Sequence, residues 1–313
     1  MKSLTARRLA AVGGSVLAAA LTFIVARSAT DAYERESAEQ SAVTIAAYLS
    51  IAALPDRSGS GYDLAQLLIL ARAVATLLRL PQAEIYYATA PLVHAVAPPL
   101  SPAELGRLRL EETSRWDGNA ALVPLRDRQG WNVIGAVRVP RPQFAVSWLM
   151  RGLPLLLVIT LACAAYSASA IGRPVVQRKA LVLYTAVALV VGCAAYLAVR
   201  TAAKRATDRW LTETGTLVQE ATTHNPGGLG VADVVSIVRG GTLVPAEILV
   251  KDAAPRRMNR GAVASTVVRM GRGRWAELRI PASEVTTGVW FLCAIVLALL
   301  GPAGVWLGAR GAR

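Results

Sequence analysis

Few residues in this sequence are of the types that bind metal ions or haem. His94 and His224 are the only two histidines, and each is surrounded by Pro, Ala, Thr or Asn. The three cysteines, Cys163, Cys193 and Cys293, all fall inside apolar runs. A metal site needs several converging ligands, and isolated histidines are more often packed or solvated than coordinated. The sequence therefore predicts no metal, no cofactor and no disulfide framework in the soluble segments.

Catalytic constellations are equally scarce. Glu111 and Glu112 are neighbours on a predicted helix, so their carboxylates do not face each other across a cleft. No Ser, Lys or Cys lies in a recognisable nucleophile context. The apolar runs contain no His, Asp or Glu, which argues against proton or ion transport. We predict a protein that is not an enzyme.

One set of aromatic and cationic side chains has the chemistry of a ligand pocket on a small sheet. The alternation of strand residues between a core and the solvent explains the same set as well, and both interpretations stay open. The candidate pocket residues are Tyr86, Tyr87, Arg126, Trp131 and Arg138.

A second set is a basic patch between residues 251 and 274, interrupted by the single acid Asp252. On a hairpin these cations make a positive surface suited to an acidic protein face or to lipid headgroups. A solvated loop that keeps the protein soluble is the alternative. The predicted partner-binding residues are Arg256, Arg257, Arg260, Arg272 and Arg274.

Apolar runs must position these segments in a membrane. Runs 153–171 and 180–199 are each long enough to cross a hydrocarbon core of ~30 Å as a helix. Their connector, 172–179, carries cations and no acid, which places it on the cytoplasmic side. Runs 9–26 and 288–309 add two crossings, the first read as an uncleaved anchor. We predict four transmembrane helices in a bacterial inner membrane, with both termini cytoplasmic.

The charge distribution agrees with a multi-pass protein. The chain is 54% hydrophobic with a net charge of +14. Residues 28–150 carry 11 basic and 12 acidic side chains, and residues 201–285 carry 12 and 8, so most of the excess lies near helix ends. Such charge orients helices, and we predict no nucleic-acid partner.

The predicted fold is an integral membrane α+β protein with two mixed α/β periplasmic domains. The first should hold a helix at 64–78, a short helix that begins at Ser101 with Glu104 completing a capping box, and a hairpin at 122–139. The domain boundaries are a first transmembrane helix at 1–27, a periplasmic domain at 28–150, a transmembrane hairpin at 151–200, a second periplasmic domain at 201–285, and a fourth transmembrane helix with a cytoplasmic tail at 286–313.

An internal repeat relates the two halves of the chain. Arg27 at the end of the first apolar run matches Arg200 at the end of the third. The sequence 138–140 (Arg-Val-Pro), before a tryptophan, matches 279–281 (Arg-Ile-Pro), also before a tryptophan. These matches predict that the two periplasmic domains arose by duplication.

This arrangement resembles the duplicated, membrane-anchored input modules of bacterial sensor kinases and chemoreceptors, the Cache- or PAS-like domains. The resemblance implies a helix that leaves the membrane and supports a small sheet whose last strand returns to it. A small periplasmic ligand would be expected of such a module. No segment of the chain is typical of the output domains that these sensors carry.

Two functions follow as expectations. The first is a structural or accessory subunit that docks onto a larger inner-membrane complex, with a photosynthetic reaction centre and its antenna as the named host, and with other membrane subunits and lipids as partners. The second is a sensing input that binds a periplasmic ligand and signals through a separate partner. The absence of a ligand motif favours the first.

Overall fold

The computed structural model describes residues 2–53, 62–78, 83–87, 90–92, 101–110, 114–127, 132–143, 147–171, 173–224, 247–251, 262–271, 274–281 and 287–310. In chain order the elements are α1 (Lys2–Ala52), α2 (Leu64–Leu77), β1 (Glu84–Tyr87), β2 (Ala90–Pro91), α3 (Pro102–Leu110), β3 (Arg115–Asp117), β4 (Ala120–Arg126), β5 (Val133–Pro140), α4 (Ser147–Ser169), α5 (Pro174–His224), β6 (Glu247–Lys251), β7 (Ala262–Gly271), β8 (Arg274–Pro281) and α6 (Thr287–Arg310).

The chain forms two compact units. The helical unit contains Met1–Tyr33, Gln143–Arg205 and Thr286–Arg313, and the mixed unit contains Glu34–Pro142 and Ala206–Val285. Helices α1 and α5 are each 51 residues long and contribute to both units. The two segments predicted as separate periplasmic domains therefore belong to one unit.

Among the residues that the structure describes, three helices are long and apolar enough to cross a membrane, over Arg8–Ala52, Gly152–Ser169 and Val175–Thr223. The described apolar part of α6, Ala294–Leu307, is shorter than these. The prediction of a membrane protein is confirmed at this coarser level, with three candidate spans where the sequence predicts four.

Small side chains bring the four helices of the helical unit together. Ala11 of α1, Ala164 of α4, Ala188 of α5 and Ala298 of α6 belong to one buried cluster. A Cβ added to Gly192 of α5 would lie 2.9 Å from the carbonyl oxygen of Ala294 on α6. These helices approach closely because their contact faces carry Ala and Gly.

One polar contact fixes the amino end of α1 within the helical unit. An Nη atom of Arg8 donates to the main-chain oxygen of Ile171, just after the end of α4, at 3.0 Å. A cation at a helix carboxyl end meets carbonyl oxygens that have no partner within the helix. The first turns of α1 and the connection from α4 to α5 thus lie at the same end of this unit.

In the mixed unit, both sheets share one hydrophobic core with α1, α2 and α5. Buried members of this core include residues of α1, of α2, of the first sheet, of α5 and of β8. Helix α2 confirms the helix predicted at 64–78, and it buries Leu67, Leu70, Ala71 and Val74, spaced at i, i+3, i+4 and i+7 on one face. Asp63 caps this helix by accepting from the N–H groups of Ala65 and Gln66.

The first sheet has five strands in the order β2-β1-β5-β4-β3, and its described pairs are antiparallel. The second sheet has three strands in the order β6-β8-β7, again antiparallel. The hairpin predicted at 122–139 is present as β4 and β5, whereas the short strands β2 and β3 were not predicted.

The two sheets share a strand register around their last strands. Glu84 of β1 stands opposite Arg138 of β5, and Glu247 of β6 stands opposite Arg279 of β8. On the other side, the first residue of β4 pairs with Pro140 and the first residue of β7 pairs with Pro281. Both final strands are therefore central strands with equivalent neighbours.

The predicted capping box at the start of α3 is confirmed. The Ser101 N–H and hydroxyl each donate to Glu104 Oε2 at 2.7 Å, and the Glu104 N–H donates to Ser101 Oγ at 3.2 Å. These hydrogen bonds hold the pKa of the Glu104 carboxyl below its usual range. They satisfy donors that a helix leaves free at its first turn.

We expect Ser101→Ala to lower the free energy of unfolding by about 1 kcal/mol, because an N-cap acceptor is lost. Ser101→Asp is the matched control and should retain most of the stability, since aspartate is also a good N-cap.

Folding lowers the pKa of the Glu104 carboxyl. The contribution of Glu104 to stability is therefore present above the pKa of the unfolded chain and is lost as the pH falls through the pKa of the folded chain. Urea unfolding followed by circular dichroism should show the Glu104→Gln penalty shrinking in acid. An equal penalty at neutral and acid pH would contradict this.

Candidate functional site

One face of the first sheet places charged residues side by side. Arg138 on the central strand β5 lies between Glu84 of β1 and Leu122 of β4 in the ladder. Residues two apart in a strand share a face, so Tyr86 stands beside Glu84 on that face. Tyr86 also packs with Leu108 of α3, which contacts both β4 and β5. The helix that begins with the capping box therefore covers this side of the sheet.

A connected polar network lies on this face. Glu84, only 4% exposed, accepts from the Tyr86 hydroxyl at 2.5 Å and from an Nη atom of Arg138 at 3.2 Å. The other Nη atom of Arg138 lies 2.9 Å from Asp117 Oδ2 of β3. The network thus joins strands β1, β5 and β3 through side chains as well as through the ladder.

The electrostatics of the network favour one protonation state. Burial, with the hydrogen bond to Glu84, raises the pKa of the Tyr86 hydroxyl above its ordinary range, so Tyr86 remains a donor. Arg138 supplies the cation that a nearly buried carboxylate needs. Its Nε is buried and has no hydrogen-bond partner within the described part of the chain. The arrangement can hold strands together and could meet one further acceptor, and it contains no activated nucleophile.

The structure brings together two of the five predicted pocket residues. Tyr86 and Arg138 share the polar network, whereas Tyr87 points to the opposite face and packs against the main core. Arg126 lies at the far end of β4, where its main-chain oxygen accepts from the hydroxyls of Ser50 and Tyr62. Trp131 lies outside the described residues. These side chains do not form one shared pocket lining among the residues described.

Sequence reasoning missed the acidic members of the network, Glu84 and Asp117. A signal for Glu84 was present, because residues 83–85 (Ala-Glu-Ile) recur as residues 246–248. The Glu of each copy is the first residue of a strand that pairs, in the same register, with the strand that ends in Arg-Val-Pro or Arg-Ile-Pro. Comparing the two halves for acids as well as arginines would have identified it.

Two further contacts join the first sheet to α1. Arg141, just after β5, donates through Nε and an Nη atom to Glu34 Oε2 at 2.8 and 2.6 Å. The Arg35 guanidinium lies 5.7 Å from the ring centroid of Trp116 on β3. A cation over an aromatic face is attracted by the ring quadrupole. These contacts fix the sheet's last strand and its edge strand against the same stretch of helix.

The predicted partner-binding arginines fall mostly outside the described residues. Arg256, Arg257, Arg260 and Arg272 lie there, and Arg274 begins β8, paired with Gly271 across the β7–β8 hairpin. His94 also lies outside the described residues, and His224 ends α5. In the described part of the chain, no group of three or more His, Cys, Asp or Glu could hold a metal ion.

The chain matches no protein-family model, and neither a curated protein nor a solved structure matches it. Its function therefore has to be argued from the residues themselves.

We expect Arg138→Met to lower the free energy of unfolding by about 3–5 kcal/mol, because it removes the cation from a buried carboxylate. Replacing both Glu84 and Arg138 by Met should recover most of this loss, since both charges are then gone. The measurement is denaturant unfolding of the purified chain in detergent. Arg107→Met, at an exposed position on α3, is the control and should change stability by less than about 0.5 kcal/mol. Equal losses for Arg138→Met and Arg107→Met would show that the network is not a stabilising unit.

Proposed function

We propose that the protein is a non-enzymatic accessory subunit that docks onto a larger bacterial inner-membrane complex. The observation that carries this proposal is that the charged side chains on the first sheet are already paired with one another. Arg138, the cation best placed to receive an anionic ligand, is bonded to Glu84 and Asp117 of the same chain. A ligand would have to displace these carboxylates, whereas a docking subunit needs only a stable platform.

The membrane location supports docking within the bilayer. Helices α1, α4 and α5 are long and apolar enough to span, and α6 packs into the same buried cluster as these three. We assign α6 as a fourth span on that ground. The contact between Arg8 and Ile171 supports an arrangement in which the amino terminus and the 172–179 connector share the cytoplasmic side.

Outward-facing small residues offer a surface for foreign helices. Ala188 and Gly192 are used inside the helical unit, where they pack against neighbouring helices. Gly14 on α1 and Ala165 and Ser169 on α4 are exposed in the isolated chain. Small residues let helix backbones approach closely in a bilayer. These exposed positions can therefore contact either foreign helices or lipid.

The basic hairpin is the proposed docking surface outside the bilayer. Strands β7 and β8 pair antiparallel from Ala262 opposite Pro281 to Gly271 opposite Arg274. The assigned arginines are close in sequence to this hairpin, with Asp252 as the single acid between residues 251 and 274. A concentrated positive charge beside this hairpin complements an acidic protein face.

The proposal includes an origin by duplication from a sensor-like module of the Cache or PAS type. The shared register of Glu84 with Arg138 and of Glu247 with Arg279 supports it, as do the two 51-residue helices. We also propose the identity of the larger complex, and a photosynthetic reaction centre–antenna complex is the first candidate to test. Saturable binding of a small periplasmic metabolite to the full chain would favour the sensing alternative.

The proposed topology predicts reporter activity on each side of the membrane. Alkaline phosphatase fused after residue 30 or residue 205 should be active, because both points would lie on the periplasmic side of an inner-membrane helix. A fusion after residue 176 should be inactive, since that connector is assigned to the cytoplasm. High activity after residue 176 would invert the topology.

Docking through the basic hairpin predicts a charge-reversal effect. Exposed ion pairs contribute about 0–1 kcal/mol each, so single substitutions should change little. Reversing Arg256, Arg257 and Arg260 to Glu together should release the subunit, because like charges across a contact cost several kcal/mol. The measurement is co-purification with the host complex from native membranes at low and moderate salt.

The matched control reverses three cations elsewhere that are exposed in the structure, with the same change in net charge. These are Arg72, Arg107 and Lys204. The control triple should stay with the complex at both salt concentrations. Full retention of the triple variant of Arg256, Arg257 and Arg260 would remove these arginines from the interface.

A further inference from the structure

Helices α1 and α5 carry matching stripes of buried residues in the mixed unit. On each helix the stripe advances by four, three and four residues, the spacing that keeps side chains on one side of a helix packed against another. All eight positions are at most 3% exposed. We call these positions the seam: Ser37, Ser41, Thr44 and Tyr48 on α1, and Trp210, Thr214, Leu217 and Ala221 on α5.

One hydrogen bond and one charge interaction indicate how the two helices run past each other. The Ser41 hydroxyl bonds to the Glu213 carboxylate, 172 positions further along the chain. The charge of Glu220, also 172 positions from Tyr48, acts on that tyrosine. Residue number rises together on both helices, so α1 and α5 are parallel. The repeat that matches Arg27 with Arg200 has nearly the same offset, so equivalent residues of the two repeats face each other.

The seam is unusually rich in polar atoms without a partner. Five of its eight side chains have a buried polar atom with no hydrogen-bond partner in the described part of the chain: Ser37 Oγ, Thr44 Oγ1, Tyr48 OH, Trp210 Nε1 and Thr214 Oγ1. Buried polar groups in native proteins are nearly always satisfied by protein or by ordered water. Leaving several unsatisfied would cost free energy comparable with the net stability of a whole domain.

Three of the seam hydroxyls also lack the local hydrogen bond that most Ser and Thr side chains in these helices form. Most described Ser and Thr side chains in the long helices donate to the carbonyl four residues earlier, as Thr30 and Thr212 do. For Ser37, Thr44 and Thr214 no such bond forms. A hydroxyl within a helix either bonds back in this way or finds a partner elsewhere. The three therefore require a partner that the two helices do not supply.

We propose that ordered water molecules bind along the seam and bridge these groups. Water suits this mixture because it both donates and accepts: the Trp210 indole needs an acceptor, and the hydroxyls can serve either way. Bound water of this kind makes about three hydrogen bonds with otherwise unsatisfied buried groups. The parallel helices are then joined by exchangeable hydrogen bonds where a coiled coil would have a dry apolar seam.

Hydroxyl-radical footprinting tests this proposal, because radicals generated from a bound water oxidise the side chains beside it even when these are buried. The full chain in detergent is exposed to an X-ray pulse, and each oxidation rate is divided by the rate in the unfolded chain. Tyr48 and Trp210 should be oxidised several-fold faster than Tyr86. Tyr86 is the control because it is equally buried but its hydroxyl bonds to Glu84. Isotopically labelled water should exchange slowly into the products, as expected of bound water.

A pair of isosteric substitutions locates the water. Thr44→Val with Thr214→Val removes two of the hydroxyls, and it should lower the oxidation of Tyr48 and Trp210 towards that of Tyr86. Thr212→Val, at an exposed position whose hydroxyl bonds back to Asp208, should leave both rates unchanged. Rates in the native chain as low as that of Tyr86 would overturn the proposal, whether or not the double variant folds. Unchanged oxidation in a folded double variant would overturn the assignment of the water to these hydroxyls.

Discussion

The packing of α1 against α5 is the contact on which the rest of the structure depends. In the helical unit, Ala26 and Ala29 of α1 share a buried cluster with Ala195 of α5. In the mixed unit, both helices enter the core onto which the two sheets pack. Alanine-rich faces permit close approach in either setting, because dispersion attraction grows as backbones near each other. A disturbance of this pair would reach both sheets, since both pack onto the core that these helices share.

Buried carboxylates recur at the places where separate segments of the chain meet. Glu84 joins strands of the first sheet through Arg138, and Glu213 joins α5 to α1 through Ser41 while Arg209 lies 2.6 Å away. Desolvating an acid is costly, and a partnered acid stabilises less than apolar packing would. Such groups contribute specificity, because a wrong register leaves the charge buried without its cation. In this chain they mark the pairings that the apolar pattern alone would leave ambiguous.

The local features of the fold were predictable from sequence, and the long-range ones were not. The capping box at Ser101 and the helix at 64–78 depend on residues within a few positions of each other, and the structure contains both. The pocket prediction grouped Tyr86 with Tyr87, although neighbouring strand residues face opposite sides of a sheet. Nothing near Glu213 in the sequence reveals the helix that buries it. The pairing of Glu84 with Arg138 required a strand register between segments 54 positions apart.

The parallel pairing of two equivalent helices limits how this protein can meet others. Under the proposed duplication, α1 and α5 reproduce within one chain the contact that two copies of a single module would make about a two-fold axis. That contact surface is buried in the core, so a second copy has no access to it. In the proposed docking, partners therefore bind other surfaces, such as β7, which is an outer strand of the second sheet in the described part of the chain. An edge strand presents unpaired main-chain groups that proteins commonly guard with charge. The arginines in and around β7 and β8 can have two effects. They discourage indiscriminate strand addition, and they favour an acidic partner.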